Sequence, residues 1–559
     1  MKKKKKISFF DKYSKIFTIL AFVLIFILGV SFITKLNVNF DTRMEQDILK
    51  SNLKEYARFF NLKEAKDYYN KLDIPYISEY IERDHGVAAY YLFTPFLLFD
   101  YVSINYTDNI WFFYTFSIFF IGIIFFYKLV DYLFKDKKVS LISTLLYASF
   151  PRMFIDGIHN NKDVVLMSLL IIMLYYGFKF INEKDKKSLI LFSIVSGFVC
   201  NTKVIGLLFL GIIGLGYIIN VTIKKEWSKR NFIYGLSAAL LSLIIYIILT
   251  PAIWGKGKIE LFEFISYCFD NSISFRASPT VLFEGTLYQN PVKPLPWYYI
   301  PKMMLITIPI ITSLYFAYGF IKLSINSIKD IIAKKINDLN FKIILVFIIM
   351  IIPLMTAILS KPVLYNGWRH FYFLYPLVMI IAVYGISSIN KKEFKLHKYV
   401  KYINIITIIL IATNFMYIIK YDVANTAYFN ILIKRKNLDQ RYELDYYNVT
   451  AKQALIKFYK STKLKDNEGE YYIYGDGFNE MILNLLFECN DFKIKEKFAF
   501  IRGWQIEDVL SRGKTVYVYN NPIYSSRDFS NSKKVYSYTT FNNSHIVDFY
   551  EVTKLEEVR

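Results

Sequence analysis

The sequence predicts a polytopic α-helical membrane protein with about eleven transmembrane helices and a small extracytoplasmic α/β domain at its C-terminus. Three observations predict this fold class. The 559-residue chain is 54% hydrophobic. Its apolar residues lie in blocks of roughly 17–25 residues, the length that spans a bilayer. Lysines are concentrated in short connectors between these blocks. An ordinary soluble enzyme and a disordered basic protein are both excluded by this pattern.

The first block, residues 16–36, follows a run of five lysines at the N-terminus. A cleavable signal peptide has a shorter apolar core and a small-residue cleavage site. We therefore expect an uncleaved first helix whose N-terminus is cytoplasmic. The further blocks are 109–130, 139–155, 164–181, the short 188–200, 204–222, 231–250, 302–322, 341–359, 372–388 and 401–419.

The positive charge indicates the topology. Lys and Arg total 69 against 46 Asp and Glu, a formal net charge of +23. All of the lysine-rich connectors are cytoplasmic if the N-terminus is, as the positive-inside rule requires. These connectors are 128–138, 183–187, 224–230, 322–342 and 391–401. The sequence thus predicts a multi-pass protein of a bacterial plasma membrane, and the charge indicates topology rather than nucleic-acid binding.

The remaining connectors and the C-terminal region are expected outside the cytoplasm. The membrane domain, residues 1–420, has outer loops at about 37–108, 156–163 and 251–301. Two apolar segments in the long loops, 87–104 and 259–275, are expected to lie at the membrane surface. Counting 87–104 as a span would place the basic loops outside. Residues 421–559 alternate helical patches with strand-like runs, which predicts an extracytoplasmic α/β domain. The predicted helices are 450–459 and 478–487, and the predicted strands are 471–474, 515–519 and 546–550.

Ionisable residues at the outer ends of the spans are the candidate functional residues. Asp41 and Glu45 are four residues apart, so one helical turn would place both carboxylates on one face. Alternatively, Asp41 only caps a helix. Asp84 and His85 belong to a charged cluster before the first surface segment, and this cluster could be merely the polar boundary of that segment.

Five further candidates lie in later outer turns. Lys162 and Asp163 end a polar turn after the third block, where Lys162 suits phosphate neutralisation and Asp163 could instead be a helix cap. Lys203, Arg369 and His370 follow at other outer turns. Cations outside oppose the positive-inside bias, so they indicate either an anionic substrate or snorkelling to lipid headgroups. Together these groups predict outer-face chemistry on a phosphate-bearing, lipid-linked molecule.

The order of short motifs resembles that of GT-C glycosyltransferases of family 39, which includes protein O-mannosyltransferases and bacterial aminoarabinose transferases of lipid A. The chain has Asp41-Thr42 where the family usually has Asp-Glu, and Asn161 where bacterial relatives have Pro before Lys-Asp. The matching motifs are Arg83-Asp84-His85-Gly86, Pro151-Arg152 with Asn160-Asn161-Lys162-Asp163, Arg369-His370-Phe371-Tyr372-Phe373, Tyr428-Phe429-Asn430 and Asp445-Tyr446-Tyr447.

The resemblance implies transfer of a sugar from a polyprenyl-phosphate donor to an acceptor hydroxyl, with inversion. Asp41 would be the general base, with Glu45 and Asp163 as further catalytic candidates, Asp163 orienting the acceptor or a lysine. The implied substrate-binding residues are Asp84, His85, Lys162, Lys203, Arg369 and His370. The acceptor could be a protein, a glycolipid or a wall polymer. No metal or cofactor is implied, and the three scattered cysteines give no zinc spacing.

Three alternatives remain open at this point. A lipid-linked oligosaccharide ligase could share the same fold. A transporter or flippase would predict an inverted repeat and charge near mid-membrane, whereas the spans are nearly free of charge and show no repeat. A degenerate relative that serves as a scaffold is possible because Thr42 replaces the usual Glu.

Overall fold

The computed structural model is mostly helical. It describes residues 9–98, 107–274, 279–335, 337–391, 394, 397–434, 437–461, 471–489, 492–525, 527–529, 531–540 and 543–557.

Seven helices in the described part of the chain are long and apolar enough to cross a membrane. An eighth candidate span is the pair Tyr299–Thr307 and Ile310–Ile332, which is bent by 119°. Pro309, which lacks a backbone N–H, lies at the break between the two. The seven helices are Phe9–Val30, Thr107–Phe134, Asp163–Glu183, Ile205–Ile223, Lys229–Ile248, Asp338–Ser360 and Val400–Tyr421.

The other predicted blocks form shorter helices. Residues 188–200 and 372–388 lie in the helices Lys186–Thr202 and Leu374–Ile389. The block 139–155 is divided between Lys137–Ala148 and Pro151–His159. The second of these begins with a proline, which suits the first turn of a helix but would disrupt an interior. The fold class is confirmed, although by length and hydropathy the long spans number seven or eight rather than eleven.

The basic connectors lie together at one end of the helix bundle. Lys184 Nζ is 2.8 Å from Glu226, and Arg230 donates a hydrogen bond to the Lys184 carbonyl. Lys224 Nζ is 3.4 Å from Asp338. Three lysine-rich loops separated in sequence therefore meet, as the alternating charge pattern predicts. That this end faces the cytoplasm stays a prediction.

Thiol labelling of whole cells tests that orientation. The three native cysteines are buried, so unmodified protein should give little signal. We expect a membrane-impermeant maleimide to label Lys514→Cys in the C-terminal region and to leave Lys187→Cys in a basic loop unlabelled until the cells are opened. Both lysines are exposed. The reverse labelling pattern would contradict a cytoplasmic N-terminus.

A close helix contact holds the late spans together. Gly319 and Gly385 allow the backbones of the helices Ile310–Ile332 and Leu374–Ile389 to touch. A Cβ on Gly319 would lie 2.0 Å from the Ile381 carbonyl oxygen. Small residues permit such approach between membrane helices. The helix Leu374–Ile389 directly follows the turn that carries Arg369.

The two long loops hold short elements near the membrane. The first contains the helices Phe40–Phe59, Lys63–Lys71 and Thr94–Leu98 and the 3-10 turn Ala88–Phe93. The remainder of the predicted surface segment, including Asp100, lies outside the described residues. The second loop contains the helix Leu261–Ile273, which agrees with the predicted segment 259–275, and a hairpin of β1 (Thr280–Phe283) and β2 (Thr286–Gln289).

The C-terminal region contains one five-stranded mixed sheet flanked by helices. Its order is β4-β3-β5-β7-β6, in which β3 pairs in parallel with β4 and β5, and β7 pairs antiparallel with β5 and β6. The strands are β3 (Tyr471–Tyr474), β4 (Phe498–Phe500), β5 (Val516–Asn520), β6 (Lys533–Thr539) and β7 (His545–Val552). The helices are Ala451–Ser461, Phe478–Glu488 and Ile506–Ser511.

The predicted strands are the three central ones, β3, β5 and β7. The edge strands β4 and β6 were not predicted. β4 has three residues, and β6 begins with two lysines, a composition typical of edges that avoid further pairing. The division at residue 420 into a membrane domain and a C-terminal domain stays a prediction.

Candidate active site

All nine residues predicted from the sequence line one cavity of about 230 Å³. The cavity lies at the end of the bundle opposite the basic loops, where the first span leads into the loop helix Phe40–Phe59. Its predicted lining residues are Asp41, Glu45, Asp84, His85, Lys162, Asp163, Lys203, Arg369 and His370. Residues more than 300 positions apart in sequence are thus brought to one place.

Asp41 and Glu45 lie in the first turns of the helix Phe40–Phe59. The helix is capped by Asn39, whose Oδ1 accepts a hydrogen bond of 2.8 Å from the Thr42 backbone N–H. The alternative in which Asp41 is the N-cap is therefore wrong, because Asn39 fills that position. Both carboxylates border the cavity, as their four-residue spacing predicts.

Asp41 forms an ion pair with Arg369. The distance between Arg369 Nη1 and Asp41 Oδ2 is 2.8 Å. The Arg369 side chain is only 9% exposed, whereas Asp41 retains 28% exposure toward the cavity. A guanidinium this deeply buried does not snorkel to lipid headgroups, so that alternative fails for Arg369.

Three tyrosine rings surround the Arg369 guanidinium. Its carbon lies 4.5 Å from the ring centroids of Tyr365 and Tyr446 and 4.9 Å from that of Tyr447. The guanidinium also donates hydrogen bonds to the hydroxyls of Tyr446 and Tyr447. Cation–π contacts and these hydrogen bonds fix its orientation toward Asp41. We call Tyr365, Tyr446 and Tyr447 the tyrosine cage.

The cage depends on the segment after the last span. Asp445 accepts hydrogen bonds from the Thr450 N–H at 2.9 Å and the Thr450 hydroxyl at 2.6 Å, which fixes the turn that carries Tyr446 and Tyr447. Tyr446 and Tyr447 were noted in the sequence only as a motif without a role, and Tyr365 was missed. Tyrosine occurs 47 times in the chain, so composition could not single these out.

A second ion pair lies across the cavity. Lys203 Nζ is 2.5 Å from Asp163 Oδ1, and Asn160 Nδ2 donates to the other carboxylate oxygen at 3.2 Å. Asn160 Oδ1 also accepts from the Asp163 backbone N–H at 2.8 Å. The N-cap of the helix Asp163–Glu183 is Lys162, and Asp163 lies in the first turn, so the reading of Asp163 as the N-cap is wrong.

Lys162 and Glu45 form a looser pair. Their charged atoms lie 4.0 Å apart, and the Glu45 side chain is 3% exposed. Burial lowers the pKa of Lys162 below its ordinary value, and the nearby Glu45 carboxylate opposes that shift. A phosphate that entered the cavity would add negative charge beside Lys162 and favour the protonated ammonium.

His85 joins Glu45 to the charged cluster of the first loop. His85 Nδ1 lies 3.4 Å from Glu45 Oε1, and His85 Nε2 lies 3.3 Å from Glu82 Oε2. Glu82, Asp84 and His85 offer ligand atoms within 4.8 Å of one another, so this set could hold a divalent cation. The expectation that no metal is needed stays a prediction.

His370 is a neutral member of the site. Burial, with the positive charges of Lys203 and Arg369 nearby, lowers the pKa of His370 well below its ordinary value. The imidazole is therefore uncharged at neutral pH. It can exchange hydrogen bonds with a bound ligand.

A buried polar cluster lies beneath the cavity, and it joins residues of the predicted motifs through contacts that were not predicted. Asp156 lies 3.2 Å from His159 Nε2 and accepts a hydrogen bond from the Tyr372 hydroxyl. Arg152 Nη2 donates to the Tyr428 carbonyl at 3.2 Å, and its guanidinium lies over the Phe429 ring. The motifs around Arg152, Tyr372 and Tyr428 thus pack together below Arg369.

One protein-family model matches part of the chain. The family model "Dolichyl-phosphate-mannose-protein mannosyltransferase" matches residues 90–254, a segment that includes Lys162, Asp163 and Lys203. No curated protein matches the chain.

Two crystal structures of ArnT from Cupriavidus metallidurans are similar over most of both chains. The one bound to undecaprenyl phosphate is 10% identical, covers 97% of this chain and 98% of its own, and has a TM-score of 0.44. The apo structure is 11% identical, with coverage of 96% and 98% and a TM-score of 0.45. The family match confirms the resemblance of this membrane protein to GT-C glycosyltransferases that its motif order indicates.

Proposed function

We propose that the chain transfers a sugar from a polyprenyl-phosphate-linked donor to an acceptor hydroxyl at the outer face of a bacterial plasma membrane, with inversion of the anomeric carbon. The observation that carries the proposal is the cavity in which a partly exposed carboxylate, Asp41, pairs with one cation and shares the lining with two more. These cations are Lys162, Lys203 and Arg369. The matching family model describes an enzyme with a donor of the same chemical class.

The charges suit a leaving group that is already a phosphate. Asp41 accepts the proton of the acceptor hydroxyl as that oxygen attacks the anomeric carbon. The bond between the anomeric carbon and the phosphate oxygen breaks, and its electron pair leaves with the polyprenyl phosphate. Negative charge grows on that phosphate in the transition state, where preplaced cations stabilise it most.

Each ion pair has a different part in this scheme. Arg369, fixed by the tyrosine cage, bridges the base and the departing phosphate. Lys203 is held by Asp163, which acts as a positioning residue for its ammonium. Lys162 contacts the phosphate from the side of Glu45, and Asp84 and His85 border the acceptor. These roles follow from the contacts in the cavity and are part of the proposal.

The test is turnover of defined donors. Purified protein in liposomes is given polyprenyl-phosphate sugars radiolabelled in the sugar, and the free polyprenyl phosphate is measured by chromatography. We expect release of polyprenyl phosphate, with inversion at the anomeric carbon of the product. Movement of intact donor across the bilayer without cleavage would instead identify a flippase, and transfer of an oligosaccharide only would identify a ligase.

Replacing Glu45 should change how donor binding depends on pH. Burial lowers the pKa of Lys162, and the Glu45 carboxylate partly offsets that effect. In Glu45→Gln the offset is lost, so the ammonium loses its proton at lower pH. We expect the alkaline loss of donor affinity to begin at lower pH than in the wild type, measured by binding of labelled donor across pH 6–10.

The matched control for this measurement is Glu64→Gln, because Glu64 is exposed in the same loop and lies outside the cavity. It should leave the pH profile unchanged. An identical profile in Glu45→Gln and the wild type would show that Glu45 does not set the charge of Lys162.

A further inference from the structure

A second cavity of about 710 Å³ lies between the first two spans and the C-terminal region. One wall is formed by the end of the helix Phe9–Val30 and the start of Thr107–Phe134, and the other by the helix Ala451–Ser461 and residues 492–494. It shares no lining residue with the candidate active site. It opens at the same end of the first span as Asp41.

The span side of this cavity is mostly apolar, with Thr34 and Asn109 as its polar residues, and it is continuous with an exposed apolar surface. Ile33, Ile110 and Phe113 line it, and Phe113 is 43% exposed. Below it, Leu24 and Ile27 on the first span are exposed. In a membrane protein such exposed apolar side chains face hydrocarbon. A lipid chain that leaves the cavity can therefore follow the first span into the bilayer.

The opposite side is cationic. Lys452, Ile456 and Lys460 recur at four-residue intervals, which places them on one face of the helix Ala451–Ser461. Lys493 adds a third ammonium from the neighbouring turn, and none of the described residues that line the cavity is acidic. Lys452 is buried, with 5% exposure, whereas Lys460 and Lys493 are exposed.

We propose that this cavity binds one anionic phospholipid of the surrounding leaflet. Its phosphate lies among Lys452, Lys460 and Lys493, and its acyl chains lie against Ile33, Ile110 and Phe113. A mostly apolar side that continues into the lipid-facing surface, and an opposite side whose charged residues are all lysines, match the two halves of such a molecule. A neutral lipid would contact only the apolar residues, and a soluble anion would contact only the lysines. The bound lipid would join the C-terminal region to the first two spans.

The test is native mass spectrometry of the full chain released from nanodiscs that contain phosphatidylglycerol or phosphatidylcholine. We expect one phosphatidylglycerol to be retained per chain and phosphatidylcholine to be lost. In Lys460→Gln/Lys493→Gln, retention should weaken by about 25-fold, since each basic residue near an anionic lipid contributes roughly fivefold. Both lysines are exposed, so the fold should persist, as a thermal unfolding midpoint would verify.

The matched control is Lys457→Gln/Lys497→Gln, which removes two exposed lysines from the same two elements but outside the cavity. It should retain phosphatidylglycerol like the wild type. Equal loss in both double variants would overturn the site, because general surface charge would then explain binding. Equal retention of phosphatidylcholine, or retention of polyprenyl phosphate in place of phosphatidylglycerol, would overturn the assignment of an anionic phospholipid.

Discussion

Asp41→Asn is expected to lower sugar transfer by about a thousandfold while donor binding persists, because the proposed general base is lost and the proposed phosphate-binding cations remain. Asn has the size of Asp but cannot accept the proton of the acceptor hydroxyl at neutral pH. The two quantities are measured separately, transfer as release of free polyprenyl phosphate and binding as equilibrium retention of the sugar-labelled donor.

The control for this substitution is Asp47→Asn, two turns further along the same helix, where the carboxylate pairs with Lys50 near the surface. It should retain full transfer. If Asp41→Asn transfers sugar at the wild-type rate, the base lies elsewhere, and Asp163 becomes the next carboxylate to test.

Arg369→Lys is expected to lower kcat by about a hundredfold, with a smaller effect on donor affinity. Lysine keeps the charge but has neither the planar fork that reaches Asp41 and the tyrosine hydroxyls together nor the flat surface that stacks within the tyrosine cage. The remaining ammonium still attracts the donor phosphate, so binding suffers less than the transition state. Initial rates over a range of donor concentrations separate the two effects.

Arg512→Lys is the comparison variant, because Arg512 pairs with Asp508 at the surface of the C-terminal region. It should behave as the wild type. The double variant Asp41→Asn/Arg369→Lys should lose less than the product of the two single losses, because the two side chains act as one unit. Full multiplicative loss would mean that Asp41 and Arg369 contribute independently.

The sequence predicted the membrane architecture well because hydropathy and loop charge are local signals. Each apolar block coincides with a helix or a helix pair, and the loops 183–187, 224–230 and 322–342 meet at one end as their lysines indicate. Fewer of the described helices than predicted blocks are long enough to cross a membrane by themselves, because blocks such as 139–155 are apolar throughout, yet Pro151 starts a new helix inside this one.

The sequence predicted which charged residues belong to the candidate site, but it did not predict which of them contact one another. Charged groups at the outer ends of the spans stand out against apolar neighbours, so Asp41, Lys203 and Arg369 could be selected from composition and motif order. The ion pairs that these residues form could not be predicted in the same way. The cage tyrosines and the Asp156–Tyr372 hydrogen bond join segments far apart in sequence, and tyrosine is too common in this chain to mark a site.

The tyrosine cage links the segment after the last span to the turn that carries Arg369, which limits how far these two parts of the chain can change separately in evolution. Two of its three rings come from the segment after the last span, whereas the arginine they hold comes from the turn before the helix Leu374–Ile389. A hybrid in which the region after residue 421 is taken from a relative would place foreign side chains around Arg369. If the proposed function holds, exchange of C-terminal regions between such proteins is constrained by the proposed active site, because the ring positions of Tyr446 and Tyr447 have to be kept around Arg369.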